Sequence, residues 1–436
     1  MITQSLRPAA KKLPPLAILP TSQIIRSYLI TGVTSSPLLL RACFAILKRM
    51  LDPKAILLSP DRNPLLSFAF KHTFYQQFCA GENRKEVQWT IKNVKNAGYT
   101  GVILEYALEV LSGGQGKTTT AEEVETWRTG MLDTVDMCSP GDFVALKWSG
   151  IGREALQLLD AGKPPSKEMY EAIVEVCDLA VKKDAALLPG AELEVTNVGI
   201  DSWTIDLQRK YNMATPGKAI MYSTYQSYLR STPQRIARDL AIAQKEGFTL
   251  GVKLVRGAYL ASETKSTVVE SKQATDDAYD GITAAILTRQ YNDTLKPADP
   301  KNTSFPSVSL MMASHNAVSV DKARKIRDAQ AAAGEPLVEC AYAQLQGMAD
   351  EISCSLVAAS KDRKIEAERQ ALSRSQQTVD VPRSYKCATW GTIGQCLNFL
   401  YRRALENQDA ASRTAETRNA MGQELWRRGR AFLGSS

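Results

Sequence analysis

Two cations share one short apolar stretch, Gly251 to Leu260 (GVKLVRGAYL), and a glycine follows the second of them. Alternation along a strand puts Val252, Leu254 and Arg256 on one face and Lys253 and Val255 on the other. Cations in such a strand are costly unless each meets an anionic or polar partner. Gly257 would let the backbone approach a ligand closely. The chemistry suggested is the rim of a site for an anionic cofactor. The alternative is an ordinary strand whose Lys and Arg emerge at the surface.

A second constellation is the adjacent pair Arg402 and Arg403, inside the amphipathic stretch GTIGQCLNFLYRRALENQDA. Neighbours on a helix project about 100° apart, yet long arginine stems can converge on one carboxylate. A surface pair bonded to Glu406 is the alternative. A third candidate is excluded. SGGQGKTTT (112–120) resembles a phosphate loop, but that motif needs a glycine where Leu111 stands. Eight cysteines without a CxxC pair read as reduced, mostly buried side chains, and two histidines argue against a metal centre.

These residues need a scaffold. Eight β-rich apolar runs recur, at 101–108, 142–150, 185–193, 218–226, 249–259, 307–316, 337–345 and 385–392. Stretches of helical periodicity separate them. The alternation predicts an α/β fold, a (βα)₈ barrel over 100–436, with a doubly wound sheet as the alternative. In a barrel the C-terminal strand ends form the site. That offset collects Glu105, Lys147, Glu192, Gln226, Lys253, Arg256, His315 and Gln344. Such a metal-poor, mixed-charge set suits an organic cofactor and a charged small molecule better than hydrolysis. A helical arm is expected over 52–99, ending on Gly98. The charged segment 361–377 reads as a solvated insertion between the last two strands.

The net charge of +8 is concentrated at the start: seven Lys or Arg and no acid precede Asp52. The remainder is near neutral, and nothing argues for nucleic acid. A basic, hydroxyl-bearing, acid-free segment over 1–51 has the composition of mitochondrial targeting. An amphipathic, membrane-touching helix and a disordered basic tail are the alternatives. The run from Pro37 to Leu51 is too short and too charged to span a bilayer.

The motifs LQRKYN, MYSTYQSYLR, GVKLVRGAYLASE, ASHN, QLQGMADEIS and RRALEN occur in order between about Asn63 and Arg430. In these the chain resembles the proline dehydrogenase (proline oxidase) family, most like its fungal mitochondrial members. The resemblance implies a distorted (βα)₈ barrel of TIM type with FAD at the C-terminal strand ends. It implies transfer of hydride from the carbon beside the proline nitrogen to the flavin, and of electrons to a membrane quinone. The product would be 1-pyrroline-5-carboxylate, made on the matrix side of the inner mitochondrial membrane with peripheral membrane contact.

Carried over by motif, Lys253 would bond the flavin near its reactive nitrogen. Arg256 with the Gly257 and Ala258 backbone would hold the phosphates. Gln226 would meet the ring edge, Ala191 the ring through its backbone, and Ser314 and His315 the ribityl–phosphate region. Lys147 would line the substrate pocket and act on the amine, Leu254 and Tyr259 would pack against the substrate ring, and Arg402 and Arg403 would clamp its carboxylate. Three positions depart from the family: Gly190 replaces an Asp, Cys387 a Tyr and Phe399 a Tyr. They leave a proline analogue such as hydroxyproline as the alternative substrate. A non-catalytic barrel is the second alternative.

Overall fold

The computed structural model describes residues 13–51, 60, 62–108, 118–373, 378–409 and 411–434. For 34, 37, 371–373, 402–409 and 411–415 it describes the backbone alone. Residues 1–12 and 52–59 of the two N-terminal segments, and 112–117 of the rejected phosphate-loop candidate, therefore lie outside the described residues.

Among the described residues nine strands form one sheet: β1 Cys79–Gly81, β2 Gly101–Tyr106, β3 Phe143–Leu146, β4 Ala186–Pro189, β5 Ser223–Gln226, β6 Leu250–Val255, β7 Val308–Ala313, β8 Glu339–Leu345 and β9 Ser384–Trp390. The order is β4-β3-β2-β9-β8-β7-β6-β5, and all pairings are parallel. The ends meet in one bridge, where Leu187 N–H donates to the Ile220 carbonyl at 2.6 Å and Tyr222 N–H to the Leu187 carbonyl at 3.0 Å. The eight runs expected from sequence are β2 to β9, and the chain is a distorted (βα)₈ barrel.

Each strand alternates between two cores. Outward residues (Val102, Leu104, Val144, Leu187, and on the far side Val252, Leu254, Leu310, Tyr342) pack under the helices. Inward residues (Ile103, Phe143, Leu188, Tyr222, Met311, Tyr385) fill the barrel. Short Val/Ile/Leu-rich runs buried on both sides are what a parallel barrel requires. Two residues of LQRKYN hold the weak closure. Asn212 accepts from Ile220 and Met221 N–H at 2.9 Å and donates to the Met221 and Thr249 carbonyls. Gln208 accepts from Gly251 N–H and donates to the Ser223 hydroxyl, both at 2.8 Å. Both side chains are fully buried, so the loss of either would strand several backbone groups.

Within the segment read as a helical arm, helices span Pro64–Phe70, Lys71–Tyr75, Gln76–Phe78 and Arg84–Ala97, and Gly98 caps the last of them at φ 105°. The arm also contains β1, which periodicity did not suggest. It extends β9 above the end of β8. Residues 361–373 form no insertion: they are the outer half of the helix Asp350–Ser373 that joins β8 to β9. The basic N-terminal segment is folded from Pro15 onward. Helix Thr21–Thr34 packs along the last helix, Ala411–Phe432, where Ile24, Met421 and Cys354 are buried together. Arg428 donates to the Leu16, Ala17 and Leu19 carbonyls and to the Thr21 hydroxyl. Arg26 bonds Gln77 at 3.0 Å, which in turn bonds the Gly347 carbonyl beyond β8.

Candidate active site

The mouth of the barrel collects most of the expected residues on the inward face. Counting down β6, the alternation that buries Val252 and Leu254 outside turns Lys253 inward. Burial lowers its pKa, Lys147 lowers it further, and Cys387 and Glu105 oppose the shift. Glu105 at the inward end of β2 accepts from the Thr389 hydroxyl at 3.1 Å. The interior thus holds two lysines and one carboxylate around a half-buried thiol. Among the described residues, Lys253 makes no hydrogen bond with its ammonium.

Arg256 sits one residue past β6 on the opposite parity and reaches over the rim. Its guanidinium donates to Asp276 at 2.8 Å, to the Ser314 hydroxyl at 2.6 Å and to the Ser319 hydroxyl at 2.8 Å, and lies 4.3 Å above the Tyr279 ring. Ser314 follows β7, and Asn316 caps the helix Ala317–Ala332 by accepting from Val318 and Ser319 N–H. A braced guanidinium beside a capped helix N-terminus is an arrangement that receives phosphate. His315 Nε2 accepts from Leu345 N–H at 3.1 Å, which leaves the ring proton on Nδ1 if the imidazole is neutral.

Gly257 has φ 131°, and a Cβ there would lie 1.4 Å from the Tyr228 ring, so only glycine fits. With Ala258 it is exposed at the mouth, while Tyr259 is half-buried. The Tyr259 carbonyl closes a turn by accepting from Ser262 and Glu263 N–H. Gln226 is fully buried: its oxygen accepts from Asn197 at 2.9 Å and its nitrogen donates to Tyr228 at 3.3 Å. Half-buried Ala191 lies between Gly190 and Glu192, and Glu192 is bonded by Ser149. Lys147 precedes the short turn Trp148–Ile151 at the end of β3.

Several expectations are corrected. Leu254 cannot pack against a ligand in the barrel: it is fully buried on the outer face with Tyr225, Ile236 and Tyr279. The alternation that turns Lys253 inward necessarily turns Leu254 out. Gln344 likewise has outward parity and bonds the Ser314 carbonyl. Phe399 is buried with Leu47, Phe70, Tyr75 and Phe78, between its helix and the N-terminal helices. Arg402 and Arg403 lie on the helix Ile393–Asp409, but their side chains are outside those described. Two mouth residues were overlooked, Leu345, paired in register with Cys387, and Thr389. Period-two counting along AYAQL and KCATW would have found both. Asp276 and Ser319, which hold Arg256, come from separate helices, and no local signal marks them.

Residues 87–416 match the proline dehydrogenase family. A probable mitochondrial proline dehydrogenase of Schizosaccharomyces pombe is 27% identical over 425 residues, covering 83% of this chain and 82% of that one. A hydroxyproline dehydrogenase of Mus musculus is 31% identical over 256 residues, 58% of this chain and 50% of that one. Among solved structures, proline utilization A from Bdellovibrio bacteriovorus aligns at a TM-score of 0.62 and 15% identity. That likeness is one of fold, covering 92% of this chain and 40% of that one. The family match contains all eight barrel strands that build this mouth, and on that ground the chain belongs to the proline dehydrogenase family.

Proposed function

We propose that this chain, an oxidoreductase acting on proline, converts L-proline to 1-pyrroline-5-carboxylate using FAD held at the barrel mouth, and passes the electrons to a quinone. The observation that carries the cofactor reading is Lys253, an inward cation whose ammonium has no hydrogen bond among the described residues. It fits an electron-rich ring above it, as Arg256, Ser314 and the helix N-terminus fit a pyrophosphate. Bound FAD would supply the two-electron acceptor for the hydride beside the proline nitrogen.

The chain's own groups would do the rest. Gly257, Ala258, Ala191, Gln226 and His315 border the cofactor. Arg402 and Arg403 hold the substrate carboxylate and so fix the ring's orientation. Lys147 disfavours a second positive charge nearby and so favours the neutral amine that can be oxidised. Tyr259 and Leu345 close the pocket against water. We assign the enzyme to the mitochondrion, where its relatives from Schizosaccharomyces pombe, Caenorhabditis elegans and Dictyostelium discoideum are named as residing. The matrix face of the inner membrane is the proposed site of action.

Hydroxyproline is the second reading, and a specific observation favours it. Gly190 has no positive φ, and a Cβ there would meet only the Leu146 carbonyl at 3.5 Å and Lys147 Cγ at 3.6 Å. Its lack of a side chain is therefore a matter of pocket volume, on the same inward face as Cys387. Purified protein incubated with FAD should turn yellow and reduce a short-chain ubiquinone when proline is added. A preparation that stays colourless, with no turnover of proline or hydroxyproline, overturns both readings. A large preference for hydroxyproline selects the second.

A further inference from the structure

The helix Pro37–Met50 is apolar on two sides, and the barrel covers only one of them. At about 100° per residue, Leu40, Cys43, Leu47 and Met50 share an inner arc. There Leu40 is buried, and Cys43, Leu47 and Met50 pack with Ile393, Cys396, Phe399 and Leu400 of the helix that carries Arg402 and Arg403. Leu38, Leu39, Ala42, Ala45 and Ile46 occupy a separate outer arc of roughly 120°. Leu38 is 78% exposed, Leu39 50% and Ile46 54%. Arg41 and Lys48 run along one edge of that arc and Arg49 stands within it, all exposed. No acid occurs in the first 51 residues. The neighbouring helix Pro64–Phe70, which shares the same inner core, leaves Leu65 and Phe68 more than half exposed.

We propose that the outer face of Pro37–Met50 docks the enzyme on an anionic phospholipid surface. The charge argues for this occupant over a second copy of the chain. Two such faces would bring the exposed Arg41 and Lys48 of both copies together, whereas anionic headgroups complement them and the leucines enter the boundary below. The helix is too short to cross, and among the described residues no single helix is long and apolar enough to do so. The inference rests on the reading that electrons leave for a membrane quinone. It adds the face used, one helix away from the proposed carboxylate clamp.

The test is sedimentation of the full-length protein with phosphatidylcholine vesicles, with and without about a quarter phosphatidylglycerol. The wild type should bind the anionic vesicles, weakly at high salt. The variant L38S/L39S/I46S, changed only at exposed positions, should bind at least about tenfold less. R41E/K48E should lose mainly the anionic preference. Equal binding by wild type and triple variant overturns the proposal. So does a dimer in sedimentation velocity that the triple variant abolishes, or a mature mitochondrial form beginning after Met50. Dye-linked proline oxidation keeps this separate from the catalytic reading. The triple variant should match the wild type there, and loss of turnover by both would refute the catalysis, not the surface.

Discussion

The two ends of the barrel interior make an instructive pair, because each holds an inward cation from a strand and treats it differently. At the N-terminal end Arg383 is paired with Glu339, donates to the Tyr385 hydroxyl at 2.9 Å and lies over the Tyr385 ring. Around it Tyr222 and Ser309 share a hydrogen bond at 2.9 Å, and Phe143 meets the Tyr385 ring edge-on at 4.9 Å. Each of these groups has its partner within the protein. At the C-terminal end Lys253 faces Glu105 and Cys387, and among the described residues its ammonium makes no hydrogen bond. The same architecture closes one end for stability and leaves the other electrostatically incomplete. An incomplete end is what a ligand can complete.

The comparison can be broken in graded ways. The largest effect is expected from Arg402→Met, which should raise KM for proline about 100-fold while FAD stays bound. Steady-state kinetics with flavin absorbance checks this, and loss of flavin would mean that the clamp lies elsewhere. Lys253→Met should lower kcat by roughly 30- to 100-fold and weaken FAD binding. In the FAD-free protein it should instead be neutral or stabilising, since it removes a charge whose desolvation Glu105 and Cys387 only partly offset.

That contrast has a pH signature. Burial holds the folded Lys253 pKa below the ordinary lysine value of about 10.4, so the unfolded chain binds more protons between the two values. Stability of the FAD-free wild type should therefore rise with pH through that interval, a slope that Lys253→Met abolishes in denaturant titrations. Arg383→Met should behave oppositely, destabilising by about 1–2 kcal/mol with turnover per bound flavin unchanged. The smallest change is expected from Gly190→Asp, a few-fold shift of kcat/KM from hydroxyproline toward proline. An unchanged ratio would remove Gly190 from the specificity argument.

The fold was legible because each strand needed apolar residues on both faces, and those runs stand out between helices of 3.6 periodicity. The face occupied by Lys253 was legible for the same reason. Leu254 shows the limit of transferring roles by motif: its place beside Lys253 in sequence puts it across the sheet in space. β1 was hidden because three residues, CAG, have no measurable period, and it forms only because β9 outruns β8. The order of residues 15–50 was hidden too. A basic, acid-free composition cannot reveal that Arg428, some 400 positions later, will cap the turn ending at Leu19.

By itself the sequence determined the eight barrel strands and the opposite faces taken by Lys253 and Arg256 at the end of β6. These depend on local alternation, which is a property of neighbouring residues. Only the tertiary structure decided that Asp276, Ser314 and Ser319 brace Arg256, that Phe399 belongs to the arm and not the pocket, and that Pro37–Met50 keeps a bare apolar face. Those outcomes depend on which distant surfaces meet when the barrel closes, and no local pattern encodes them.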